Sequence, residues 1–306
     1  MVPVVFHQIL VMFLILALGY AAFKTGIFTD ATVEGLTQFL LQVIAPIVMF
    51  LSYQIEYSTD RLKSLLVVVG ISAIAFAVQF LVGYITMRKK GEDLAIERLS
   101  VIYSNAGFFT IPLVWQLLGK EGVFYLTGYL TCFNILFWSH GIILVAGTTT
   151  LSDAIKSLFS PVLIGIFAGL VAFIIRLRIP APVLEAMELM GNMNTPIAML
   201  IAGATIAKSP LLDSFKSGRV YWVTAVKLLL LPIAVTLALT LLPIPFTMML
   251  VIVLAASAPS AASNTMIAIK YKRNGIYASQ IFVLTTLFSI ITIPVIVGIA
   301  QYLNGV

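Results

Sequence analysis

Ser104-Asn105-Ala106-Gly107-Phe108-Phe109-Thr110-Ile111-Pro112 interrupts one apolar run, and Ser257-Ala258-Pro259-Ser260-Ala261-Ala262-Ser263-Asn264-Thr265 interrupts another. Each stretch gathers small polar residues and a proline where a membrane helix would otherwise be uniformly apolar. A proline inside a helix removes one backbone hydrogen bond and clashes with the preceding turn, at a cost of ~3 kcal/mol. In hydrocarbon the freed carbonyls have no water to turn to. Such a break is tolerated only where it is buried in protein or lines a wet cavity. The two stretches therefore predict two broken helices inside a membrane protein.

The rest of the chain agrees with a lipid solvent. Of its 306 residues, 61% are hydrophobic and 10% are charged, where a soluble domain has about a quarter charged. Mean hydropathy is +1.10. Apolar runs near the ~20 residues needed to span a bilayer fall at 5–23, 33–53, 64–86, 99–118, 122–147, 160–177, 186–207, 220–242, 246–269 and 276–302. This predicts an all-α integral membrane protein of ten spans. The first run lacks the basic start and small-residue cleavage site of a signal peptide, so it reads as a span.

The net charge of +6 comes from bases in the gaps between runs. It speaks for topology and lipid head groups, not for nucleic acid. With the N-terminus outside, Lys24, Arg88, Lys89, Lys90, Arg98, Lys156, Lys208, Lys216, Arg219, Lys270, Lys272 and Arg273 are cytoplasmic, and Arg61, Lys63, Lys120, Arg176 and Arg178 are outer. The positive-inside rule then gives N-out and C-out.

A shift of 150 residues lays Gly19-Tyr20-Ala21-Ala22-Phe23 on Gly169-Leu170-Val171-Ala172-Phe173, and Pro46-Ile47-Val48-Met49 on Pro196-Ile197-Ala198-Met199. It also sets Gln42 against Asn192. The predicted division is residues 1–150 and 151–306, five spans each, within one membrane domain. Because five is odd, the second unit enters from the opposite face. Inverted halves are a recurrent plan of secondary transporters, with the site at their interface near the midplane.

On this plan the interrupted spans are the fourth helix of each half. Half-helices starting near Pro112 and Ser260 would present unpaired N–H groups and positive dipole ends in mid-membrane. Two such ends form an anion site without a charged side chain. Asn105, Thr110, Ser260, Ser263 and Asn264 would orient a carboxylate there, with Pro112 and Pro259 shaping the breaks. The alternative is two kinks whose Ser and Asn residues only join helices.

The Asn105-to-Pro112 stretch, Asn-x-Gly-x-x-x-x-Pro, resembles the fourth-helix motif of the auxin efflux carrier family, which includes bacterial malate permease-like proteins. Ser257-Ala258-Pro259 is similar to its ninth-helix break, and Asn194-Thr195-Pro196-Ile197 to its seventh helix. The resemblance implies two inverted five-helix repeats whose fourth and ninth helices cross at broken centres. It also implies an anionic substrate near the crossing, with Asn105 as a contact, and a homodimer in the cell membrane. Thr110 departs from the glycine of many bacterial relatives. The short 148–159 loop lacks the long regulated loop of plant exporters.

All twelve acids fall in loops or at span ends, so no buried carboxylate is expected for sodium or proton coupling, and uniport or electrogenic anion flow follows. A coupled organic-acid symporter is the alternative. Second-rank candidates are Gln42, Asn192, His140 and Lys227, the last read as snorkelling to the interface or making a structural contact, with substrate attraction as the alternative. Cys132 stands alone, which excludes an intramolecular disulfide and a cysteine metal site. No nucleotide motif, acid cluster or catalytic dyad calls for a cofactor, a metal or an intramembrane enzyme.

Overall fold

A computed structural model describes residues 1–88, 91, 93–147, 160–209 and 211–305. Lys89, Lys90, Glu92, the 148–159 loop with Asp153 and Lys156, and the boundary expected at 150 lie outside the described residues. Among the described residues there is no β-strand. The described helices are α1 (Val2–Lys24), α2 (Asp30–Ser52), α3 (Thr59–Thr86), α4 (Leu94–Ile102), α5 (Ala106–Ala146), α6 (Pro161–Ile174), α7 (Ala181–Asn192), α8 (Asn194–Lys208), α9 (Gly218–Thr240), α10 (Phe246–Ser257), α11 (Ala262–Lys270) and α12 (Gly275–Leu303). A short turn, Leu211–Ser214, precedes α9.

Several starts are written into the sequence by side chains that cap free N–H groups. Ser58, Ser160, Ser217 and Asn274 accept from the backbone N–H of Arg61, Leu163, Val220 and Tyr277. Thr29 and Thr32 form a reciprocal capping box at the start of α2.

Six of these helices, α1, α2, α3, α5, α9 and α12, are long and apolar enough to cross a membrane. Helix α5 has 41 residues, about twice the ~20 that a bilayer requires. It does not run straight. Gly119 takes φ 60°, ψ −151°, a conformation open to glycine. Gly122 then packs against Val114, which lies eight residues earlier and which a continuous helix would hold about 12 Å away. The 120–146 limb is therefore turned back on the 106–118 limb.

Two glycine contacts set the closest helix pairs. A Cβ on Gly203 of α8 would lie 1.9 Å from the Leu16 carbonyl oxygen of α1, and one on Gly19 of α1 would lie 2.3 Å from that of Leu200 on α8. Elsewhere, a Cβ on Gly165 of α6 would lie 2.4 Å from the Pro46 carbonyl oxygen of α2, and one on Gly169 would lie 3.1 Å from that of Phe50. Small residues let membrane helices approach backbone to backbone. The register is informative: moving 150 positions along the chain exchanges Gly19 for Gly169 and Phe50 for Leu200.

Helices α1, α2, α6, α7 and α8 pack mainly with one another, while α3, α4, α5, α9, α10, α11 and α12 form a second group. Each group draws on both halves of the sequence. The groups meet where α1 lies against α5 and α12, and where the 106–110 turn lies against α8.

Candidate functional site: two interrupted helices joined at their breaks

Helix α4 ends at Ile102, and the chain runs non-helically through Tyr103–Asn105 before α5 begins at Ala106. Helix α10 ends at Ser257, and residues 258–261 are likewise non-helical before α11 begins at Ala262. Ala258 has φ −59°, ψ 149°, the extended form favoured before a proline. Buried backbone groups must find partners, and here each gap supplies the other. The Asn105 N–H donates to the Pro259 carbonyl at 2.7 Å, the Ala261 N–H donates to the Tyr103 carbonyl at 3.4 Å, and Ser104 and Ser260 form an antiparallel bridge.

Side chains complete the joint. The Ser104 hydroxyl donates to the Ala255 carbonyl at 2.6 Å. Asn264 Nδ2 donates to the Tyr103 carbonyl at 3.2 Å and to the Ser260 hydroxyl at 3.0 Å. The Ser260 N–H donates to Thr285 Oγ1 at 3.1 Å. Two half-helices start at this joint. The first N–H groups of a helix have no intrahelical acceptor, so the N–H ends at 106–108 and 262–263 bring a positive dipole end to one place.

One expectation needs correcting. The half-helix of the fourth span starts at Ala106, not near Pro112. Pro112 lies inside α5, just after a π-helical turn, Ala106–Thr110. That turn changes the hydrogen-bond register where the proline offers no donor. The ninth-span half-helix starts at Ala262, two residues past the expected Ser260.

Two cavities follow one another along α2 and α8. The larger, about 960 Å³, is lined by Gln42, Asn105, Phe108, Ser263 and Thr265, with Asp30, Lys208 and Arg273 also on its wall. The smaller, about 490 Å³, is lined by Pro112, Trp115, Asn192, Asn194 and Pro196, with Lys120 and Glu188 paired at 3.1 Å. The sequence candidates divide accordingly. Asn105, Ser263 and Gln42 share the first cavity, and Pro112 and Asn192 the second. Ser260 and Asn264 hold the joint together. Thr110 is fully buried, lines neither of these cavities, and its hydroxyl has no partner.

His140 is held between two tyrosines, with Nε2 3.0 Å from the Tyr84 hydroxyl and Nδ1 2.9 Å from the Tyr103 hydroxyl. It reaches the joint only through Tyr103. Lys227 does not snorkel. It is 0% exposed, and its Nζ donates to the Ala256 carbonyl at 3.4 Å, in the last turn of α10. The α9 backbone passes through a π-turn, Val226–Leu230, which aims this side chain into the protein.

The expectation of no buried acid also fails at one position. Glu97 is 4% exposed. It accepts from Arg219 Nε at 2.7 Å and from the Tyr277 hydroxyl at 2.9 Å. A carboxylate can leave water when a guanidinium and a phenol replace its shell. Sequence reasoning missed Thr285 and the backbone role of Tyr103, and it noticed Asn194 only as part of a motif. Thr285 lies in an ordinary apolar helix and gave no signal.

A family model described as membrane transport protein matches residues 4–297. The chain belongs to that family. This is the auxin efflux carrier family to which the fourth-span motif pointed. The transporter is also 24% identical over 298 residues to a protein of Rhizobium meliloti (strain 1021) named "Putative malonate transporter", covering 93% of this chain and 92% of that one. It is a multi-pass membrane transporter and not an enzyme.

Proposed function

We propose that this transporter carries small organic anions by alternating access, holding a carboxylate at the joint of the two interrupted helices. The observation that carries this reading is the pairing of the two gaps, which directs two helix N-termini to one point. A carboxylate there would meet N–H groups and a dipole field without any formal positive charge. Asn105 and Ser263, which share the larger cavity with the start of α11, would orient it. The malonate named for the Rhizobium relative fits this chemistry, and short carboxylates are the proposed substrate class.

Ten spans in two inverted repeats are the proposed architecture. The exchange of Gly19 and Leu200 for Gly169 and Phe50 at a shift of 150 supports it. The two packing groups would move against each other, exposing first one cavity and then the other. With the N-terminus outside, the larger cavity faces the cytoplasm and the smaller one faces out. A homodimer in the cell membrane is the proposed assembly.

Carboxylate-based ion coupling remains disfavoured, because both oxygens of Glu97 are committed to Arg219 and Tyr277. Proteoliposomes should therefore take up labelled malonate saturably and show counterflow with choline in place of sodium. A strict sodium requirement would remove the uncoupled reading, and current that does not saturate would replace the carrier with a channel.

Lys227 is proposed to add positive potential beneath the break. A buried charge lacking a counter-ion costs stability, and an apolar side chain of similar shape relieves it. Lys227→Met should raise the thermal midpoint while weakening malonate binding, the outcome expected when a buried amine near the break is replaced by an apolar side chain. Unchanged binding would leave the lysine with a packing role alone.

A further inference from the structure

The smaller cavity carries a feature that the carboxylate site does not use. Four carboxamides line it, Gln8, Gln116, Asn192 and Asn194, each from a different helix or helix limb. Its two charged residues, Lys120 and Glu188, neutralise each other. Asn194 differs from the other three. It is 3% exposed, and neither its Oδ1 nor its Nδ2 has a hydrogen-bond partner. A buried amide with both ends unsatisfied costs about 1–3 kcal/mol per group, so native proteins rarely leave one without a use.

Its surroundings offer no internal remedy. Asn194 opens α8, but no side chain caps that start, and the Met193 carbonyl accepts from the Ile197 N–H. The side chain is therefore not a helix cap. Helix α8 also packs against the Ala106–Thr110 turn of the other packing group. Ile111 and Pro112, the residues that follow this turn, line the same cavity. The cavity thus joins Asn194 to the helix limb whose N–H end lies at the joint.

We propose that the smaller cavity recognises the far end of the substrate, and that Asn194 selects a group able to donate one hydrogen bond and accept one. A carboxamide has one acceptor oxygen and an NH2 donor. Its complement is a protonated carboxyl, a second carboxamide or a hydroxyl. An ionised carboxylate satisfies Nδ2 and leaves Oδ1 facing negative charge. The substrate class that follows is a short acid with one ionised carboxylate and one neutral polar end, such as the monoanion of a dicarboxylic acid or a hydroxy acid. This inference rests on the reading that the ionised carboxylate sits at the joint.

Malonamate and isovalerate separate the two ideas. Both carry one carboxylate on a similar short branched frame, but only malonamate ends in a donor and an acceptor. Calorimetry on the full chain in nanodiscs should show wild type preferring malonamate by about 10–100-fold, since a site built for hydrogen bonds rejects an analogue lacking them. Asn194→Leu should bring that ratio to within about threefold. Its thermal midpoint should be equal or higher, because an apolar side chain of similar shape replaces a partnerless amide. Asn194→Ala should lose the preference too, which keeps the test valid if the leucine variant folds poorly. A wild-type ratio retained in both variants overturns the assignment of Asn194. Equal binding of the two acids by wild type overturns it as well, while leaving the joint intact. Failure of wild type to bind either acid overturns the carboxylate site and this inference together.

Discussion

Gly203→Val should abolish recovery of folded, monodisperse protein, while Gly70→Ala should leave recovery unchanged or slightly improved. At position 203 even a Cβ would sit 1.9 Å from the Leu16 carbonyl oxygen and 2.7 Å from the Tyr20 nitrogen. Both obstacles are backbone, so no rotamer change relieves them. Helices α1 and α8 would have to separate along the whole face that joins them. Overpacking a core usually costs about 1–3 kcal/mol when side chains can yield, and here the cost should exceed that range. Gly70 lies in α3 with nothing within 4 Å of an added Cβ, and replacing a helical glycine by alanine there gains roughly 0.5–1 kcal/mol. Size-exclusion profiles and thermal midpoints in one detergent provide the comparison. Gly169→Val should fail as Gly203→Val does, because Gly169 meets the Phe50 backbone across α6 and α2. A Gly203→Val protein with a wild-type midpoint would mean that α1 and α8 do not approach this closely.

The same glycines show what was legible beforehand. Gly19 and Gly169 aligned at a shift of 150, and their partners Leu200 and Phe50 obey the same shift. Such a shift is visible in the sequence because close helix contacts demand small residues at fixed positions. The two breaks were legible for a related reason: prolines and small polar residues are conspicuous in an apolar run. The point of restart was not. Pro112 marks the fourth span, but the helix resumes six residues earlier, because a π-turn absorbs the missing donor. Turn type depends on packing, which composition does not reveal. For Lys227 and Glu97, nearness to a span end suggests exposure, whereas a π-turn carries the lysine and Arg219 pairs the glutamate, and both side chains are buried. Asn194 was visible as a letter in a motif, but its lack of partners is a property of three dimensions.

Asn105→Ala should cut carboxylate affinity and transport by about 10–150-fold while leaving the fold intact. The asparagine makes two separable contributions. Its backbone belongs to the joint: the N–H donates to Pro259 and the carbonyl accepts from Phe109 at 3.0 Å. Among the described residues its side chain makes no hydrogen bond, and it lines the larger cavity. Alanine keeps the first contribution, since φ −76°, ψ 51° lies near the inverse γ-turn, which any L-residue can adopt. It removes the second, and a hydrogen bond to a charged group is worth about 1.5–3 kcal/mol, which sets the expected loss. Ser104→Ala is the instructive contrast. The Ser104 hydroxyl donates to the Ala255 carbonyl, so its removal should lower the thermal midpoint and spare affinity. If Asn105→Ala transports malonate at the wild-type half-saturation, the joint is only a structural weld, and the carboxylate binds elsewhere.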